Sequence, residues 1–160
     1  MTDDDLAARV LAAHHEAGHA TAACMRGESR LTAVALGAVH GQGLTNHRSK
    51  PADSGFIAWA GPWAEARFGW PEGLPLDVED EDGTTFPDHV IGVLLAQPDD
   101  AEIVRQHWQE IRSFGIEPSD EIWLREMEAV LPAVRTVAAR LLRGEPVTHA
   151  DVVELLEKAG

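Results

Sequence analysis

Apolar residues recur at three- and four-residue spacing through most of the chain and break into short runs only between residues 31 and 48. That pattern predicts a mainly helical fold carrying one small antiparallel β-hairpin. Leu6, Val10, Ala13, Ala17, Ala20 and Cys24 form the first helical stripe. Its helix is expected to begin near Thr2, where Thr2-x-x-Asp5 resembles a capping box and Asp3, Asp4 and Asp5 suit the positive end of the helix dipole. Gly27 is its expected stop. Leu31–Val39 is short, apolar and bounded by Gly and polar residues, which suits a strand. Gly41-Gln42-Gly43 supplies a turn, and Leu44–Arg48 returns as the second strand.

Lys50–Ser54, with Pro51, reads as a loop. From Gly55 to Phe68 the aromatics Phe56, Trp59 and Trp63 repeat with helical spacing, and Gly61-Pro62 is expected to interrupt or kink that helix. Gly69 to Gly83 is a loop rich in Pro, Gly and acid. The second half is almost entirely helical. Thr85-Phe86-Pro87-Asp88 marks a helix start, with Pro98 ending that helix and Asp99 or Asp100 capping the next. Gly115, Pro132 and Gly144 divide the remainder, and Thr148-x-x-Asp151 caps a last helix. His107 lies on an apolar stripe and reads as a packed histidine rather than a ligand.

Composition narrows the field. A chain of 160 residues with 44% hydrophobic content is large enough for one domain with its own core. No run approaches the ~18 apolar residues of a membrane span, and the first residues are acidic rather than a basic leader. The single cysteine, Cys24, excludes an internal disulfide and reads as a small apolar residue. A cytoplasmic setting is the default expectation. A net charge of −14 argues against nucleic acid as a partner, because phosphate binding needs clustered Lys and Arg.

The chemistry is concentrated in His15-Glu16-Ala17-Gly18-His19, an H-E-x-x-H string inside the first predicted helix. Four residues turn about 400° along an α-helix, so both imidazoles leave one face a turn apart. Two histidine nitrogens so placed can grip one metal ion, most often Zn2+. Glu16 then stands beside the metal, able to take a proton from water. Small Ala17, Gly18 and Ala20 leave room for another element to approach. A catalytic zinc usually has three protein ligands, and no third His follows His19 within the helix. The third ligand is therefore an acid, or a distant His, brought in by the fold.

His15-Glu16-Ala17-Gly18-His19-Ala20 resembles the HEAGHA motif of the FtsH family, the membrane-bound ATP-dependent zinc proteases. The LTAVALGAVHGQGLT stretch is similar to that family's strand and Gly-rich turn. Ala60-Gly61-Pro62-Trp63-Ala64-Glu65-Ala66 looks like its GGRAAEE segment, and the closing Leu141-Leu142, Val147-Thr148 and Asp151-Val152-Val153 resemble its C-terminal helices. The resemblance implies a zincin-like peptidase domain over residues 1–160, mainly α with a small sheet. It implies Asp88, following Thr84-Thr85, as the third ligand beside His15 and His19. Asp80 or Asp82 takes that role if the acidic insert Asp77–Asp82 shifts the alignment. For Asp88 the alternative is a helix-capping acid, and for the insert a solvated loop. Glu65 is a candidate for orienting a zinc histidine, and equally a surface acid.

The expected activity is zinc-dependent hydrolysis of peptide bonds in flexible or unfolded segments, with Glu16 as general base. The hairpin edge would bind substrate by strand addition, as the resemblance implies. The family's ATPase module and membrane anchors have no counterpart in this sequence, and no G-x-x-x-x-G-K-[ST] loop occurs, so a separate unfoldase or adaptor is an expected partner. Two alternatives stay open: a metal-stabilised binding or adaptor module, and a zinc hydrolase acting on a non-peptide amide or ester.

Overall fold

The computed structural model describes residues 1–159. Seven helices and two strands run in the order α1 (Asp3–Met25), β1 (Arg30–Leu36), β2 (Gly43–Arg48), α2 (Pro51–Gly69), α3 (Phe86–Leu95), α4 (Pro98–Ser113), α5 (Glu121–Ala129), α6 (Leu131–Leu142) and α7 (His149–Ala159). The fold is mainly helical with one two-stranded antiparallel sheet. No helix among the described residues is long and apolar enough to cross a membrane.

α2 is the centre. Phe56, Ile57, Trp59 and Trp63 are fully buried, and burial runs around the whole helix from Gly55 to Ala64. A helix apolar on every side has to be enclosed by its neighbours, and α1, α3 and α4 pack around it. α1 meets α2 through Ala13, Ala17, Gly18 and Ala20, and α6 covers another side of α1. A Cβ on Gly18 would run into the Ala60 carbonyl oxygen and lie 2.8 Å from Ala64 Cβ. Gly18 therefore sets how closely the helix carrying His15 and His19 approaches the core helix.

α1 opens as expected: the Asp5 amide donates to Thr2 Oγ1 and the Thr2 amide to the Asp5 carboxylate. Leu6, though on the predicted stripe, is half exposed, because the N-terminal turns of α1 extend past the core. β1 stops at Leu36, short of Val39, which is exposed before the turn.

Three prolines behave differently from expectation. Pro51 is the first residue of α2, so residues 51–54 are helical rather than loop; a fixed φ and a missing amide cost nothing at that position. Pro62 sits inside α2, which continues unbroken through Gly61-Pro62. The tight enclosure of Trp59 and Trp63 outweighs the one lost ladder bond. Pro98 likewise opens α4, with Gln97 as its N-cap, in place of a start at Asp99 or Asp100. That shift matters for the site.

Candidate metal centre

α1 presents His15 and His19 toward the N-terminus of α4. His19 is buried between α1 and α2, and its Nδ1 donates to the Ile57 carbonyl at 2.7 Å. The acceptor belongs to the turn of α2 before Pro62, whose ring crowds the neighbouring carbonyls. With Nδ1 carrying the proton, His19 Nε2 is left with its lone pair facing the cleft. A Cβ on Gly61 would meet the His19 ring, lying 2.5 Å from Cε1. The bare backbone of Gly61 makes the slot for this imidazole.

The third group is Asp100. Its Oδ2 lies 3.1 Å from His15 Nε2 and 3.4 Å from His19 Nε2, and the two nitrogens are 2.9 Å apart. Among the described residues, His15, His19 and Asp100 form the one cluster of such groups able to share a metal ion. Atoms bound to zinc at about 2.0–2.2 Å and tetrahedral angles lie about 3.3–3.6 Å apart. The observed triangle is close to that, slightly contracted. Three acceptors converging at this range repel one another unless a cation or proton sits among them. The donor set, two imidazoles and one carboxylate, is the His₂-carboxylate set of catalytic zinc sites. The residues fit zinc.

Asp88 is elsewhere. It is exposed in the first turn of α3, where its amide donates to Thr85 Oγ1 at 3.3 Å. Asp80 accepts the amides of Asp82 and Thr84, both at 2.9 Å, which makes the acidic insert a self-contained turn away from the histidines. Asp100 was missed because the chain offers two near-copies of one signal, Phe86-Pro87-Asp88 and Gln97-Pro98-Asp99-Asp100. Each is a proline at the first or second helical position followed by first-turn acid. Only the packing of α4 on α2 selects the second.

Glu16 is buried beneath the start of β2. Its carboxylate accepts a hydrogen bond from Thr45 Oγ1, and a Cβ on Gly43 would come within 2.5 Å of Glu16 Cγ. The hairpin thus clamps Glu16 at the wall of the cleft. Glu65 Oε1 lies 3.4 Å from His15 Nδ1, an ion-pair contact that faces the imidazole from behind. It also accepts from Gln97 Nε2 at 3.5 Å, tying α2 to the N-cap of α4. The cleft these groups enclose measures about 450 Å³; Gly41, Gly43 and Thr45 form one wall and Gln97, Pro98 and Asp99 the opposite one. His40 and His47 do not line it. His107, two turns further along α4 than Asp100, packs over Gly55 of α2 and on Trp123 with ring centroids 5.3 Å apart, and burial lowers its pKa. Cys24 is half-buried and its thiol is pushed up to about 12 by burial, so it is inert at neutral pH.

Burial disfavours charge on His15, but the Asp100 and Glu65 carboxylates outweigh it and raise the imidazole to about 9. Burial also disfavours the Asp100 anion, yet the two imidazoles hold its carboxyl well below the usual carboxylate range. Without a metal, then, a proton on His15 does the work of a cation. The His15 contribution to stability is present below the ordinary histidine value and lost as pH rises through about 9. That of Asp100 is present above the ordinary carboxylate range and lost on acidification. A metal must displace the His15 proton, so zinc uptake at pH 7 is expected to release about one proton per ion. Affinity should rise close to tenfold per pH unit until about pH 9. Calorimetry in buffers of different ionisation enthalpy measures this; uptake with no proton release would contradict it.

No family model, curated protein or solved structure matches the chain.

Proposed function

We propose that the protein is a zinc-dependent peptidase acting on flexible or unfolded segments. The observation that carries this reading is the convergence of His15, His19 and Asp100 beside a buried Glu16 at the wall of an open cleft. The resemblance of His15–Ala20 to the FtsH-family motif supports it, with Asp100 standing where the resemblance implies Asp88. Bound there, zinc supplies the Lewis acidity that brings water into reach of a carboxylate base near neutral pH.

The chain's own groups do the rest. Glu16 accepts the proton of the attacking water and returns it to the departing amine. Thr45 donates to the Glu16 carboxylate and holds it toward the cleft. Glu65 faces His15 Nδ1, and Ile57 fixes the His19 tautomer, so both Nε2 atoms stay turned inward. The backbone of Gly43 to Thr45 lies along the cleft, where an extended peptide can run beside it.

The test is Glu16→Gln. The variant is expected to bind about one zinc per chain, like the parent, and to lose at least 1,000-fold in cleavage of an unstructured peptide, since both proton transfers go through this carboxylate. Mass spectrometry of the products and elemental analysis of the protein read the two effects separately. Unchanged cleavage would remove Glu16 from the mechanism; a zinc-loaded parent that cuts no unstructured peptide would remove the peptidase.

A further inference from the structure

A second depression adjoins the metal cleft. It is an apolar groove of about 290 Å³ between α3 and α4, lined by Ile91, Leu94, Leu95, Pro98, Ala101 and Trp108. Pro98 belongs to both walls, its other face closing the metal cleft. Asp100, which faces the histidines, and Ala101, which lines the groove, are consecutive residues of α4. Successive helical side chains point about 100° apart, so one turn of helix serves both depressions. Leu95 is 70% exposed and Ile91 39%, and both border this one groove. The metal cleft itself is more polar, lined mainly by Gly, Gln, His and acids, with Ala12, Leu44 and Pro98 as its apolar residues.

We propose that the α3–α4 groove is a side-chain subsite that takes a large apolar residue, of the Leu or Phe class, from a peptide lying across the metal cleft. This rests on the peptidase reading. Continuity through Pro98 supplies the argument for this occupant: an extended peptide advances about 3.3–3.6 Å per residue, so a residue close to the scissile bond reaches the groove. The groove walls are mainly apolar; of the three charged residues that line it, Glu102 and Arg105 are paired with each other and Arg112 is the third. The groove therefore selects chiefly by apolar burial. It makes the protein a peptidase for sites next to exposed hydrophobic residues, which folded proteins conceal and unfolded segments display.

The experiment uses zinc-loaded Glu16→Gln protein and peptides of Ala, Ser and Gly that carry a single Phe walked along the sequence. Binding is read by fluorescence anisotropy. One Phe position is expected to bind roughly 10- to 100-fold tighter than the all-small parent, the range for burying such a side chain. Leu95→Asp, a change at an exposed position, is expected to erase that preference and leave the parent peptide's affinity unchanged. A preference that survives Leu95→Asp, or no preference at any position, overturns the proposal. So does a dimer, seen by sedimentation, that Leu95→Asp dissociates, because the groove would then belong to a second copy. The peptidase reading fails separately. If wild-type protein cuts none of these peptides while the Glu16→Gln protein still prefers Phe through Leu95, the subsite stands and the reaction falls. If wild-type protein cuts all of them equally, the reaction stands and the subsite falls.

Discussion

Asp100→Ala is expected to leave the fold intact and abolish stoichiometric zinc binding. The side chain is only half-buried and sits in the first turn of α4, so its removal opens no core cavity. What it removes is the one anionic ligand, leaving His15 and His19 alone. Loss of an outer partner typically costs 10–100-fold in metal affinity; loss of a ligand should exceed that. Asp100→Asn, which keeps the shape and loses the charge, should also bind weakly. Asp88→Ala is the comparison, and it should retain about one zinc per chain, because Asp88 only occupies an exposed helix start. Elemental analysis with a competing chelator distinguishes these outcomes. Zinc retained in Asp100→Ala and lost in Asp88→Ala would mean that α3, not α4, closes the site.

That comparison also marks how far the chain could be read before folding. The His15–Glu16–His19 face needs only helical geometry within five residues, and so it was visible in the sequence. The Thr2 cap, the hairpin and the order of helices were visible for the same reason, since each depends on local spacing. Asp100 depends on something else. It reaches the histidines only because α4 lies across α2 and α2 lies against α1, and no local pattern separates its helix start from that of Asp88. Pro62 teaches the same lesson in reverse. Its local preference is to break a helix, and the burial of Trp59 and Trp63 around it overrides that preference. Glu65 stood undecided between surface and site, and the packing of α2 on α1 puts it behind His15. Thr45 gave no signal at all: a threonine in a half-exposed strand is ordinary until the strand is laid over Glu16.

Gly61→Ala is expected to damage the fold and the metal centre together. Two effects compete. Ala is favoured over Gly in a helix interior by about 1 kcal/mol, and Gly61 lies well inside α2. Against this, the added methyl would fall on the His19 ring, 2.5 Å from Cε1 and 2.9 Å from Cδ2. The ring cannot swing aside freely, because its Nδ1 is held by the Ile57 carbonyl of the same helix at 2.7 Å. Overpacking of a close interior contact costs about 1–3 kcal/mol, so steric crowding should prevail and leave a net loss of up to about 2 kcal/mol. Zinc affinity should fall at least tenfold as His19 Nε2 is forced away from His15 and Asp100. Gly92→Ala supplies the contrast. Gly92 lies within α3 with nothing inside 4 Å of the new methyl, so this change should stabilise by up to about 1 kcal/mol and leave zinc binding untouched. Urea denaturation and chelator competition read the two quantities. If Gly61→Ala is stabilising and binds zinc like the parent, the imidazole has room to move, and the α2 backbone is not what positions His19.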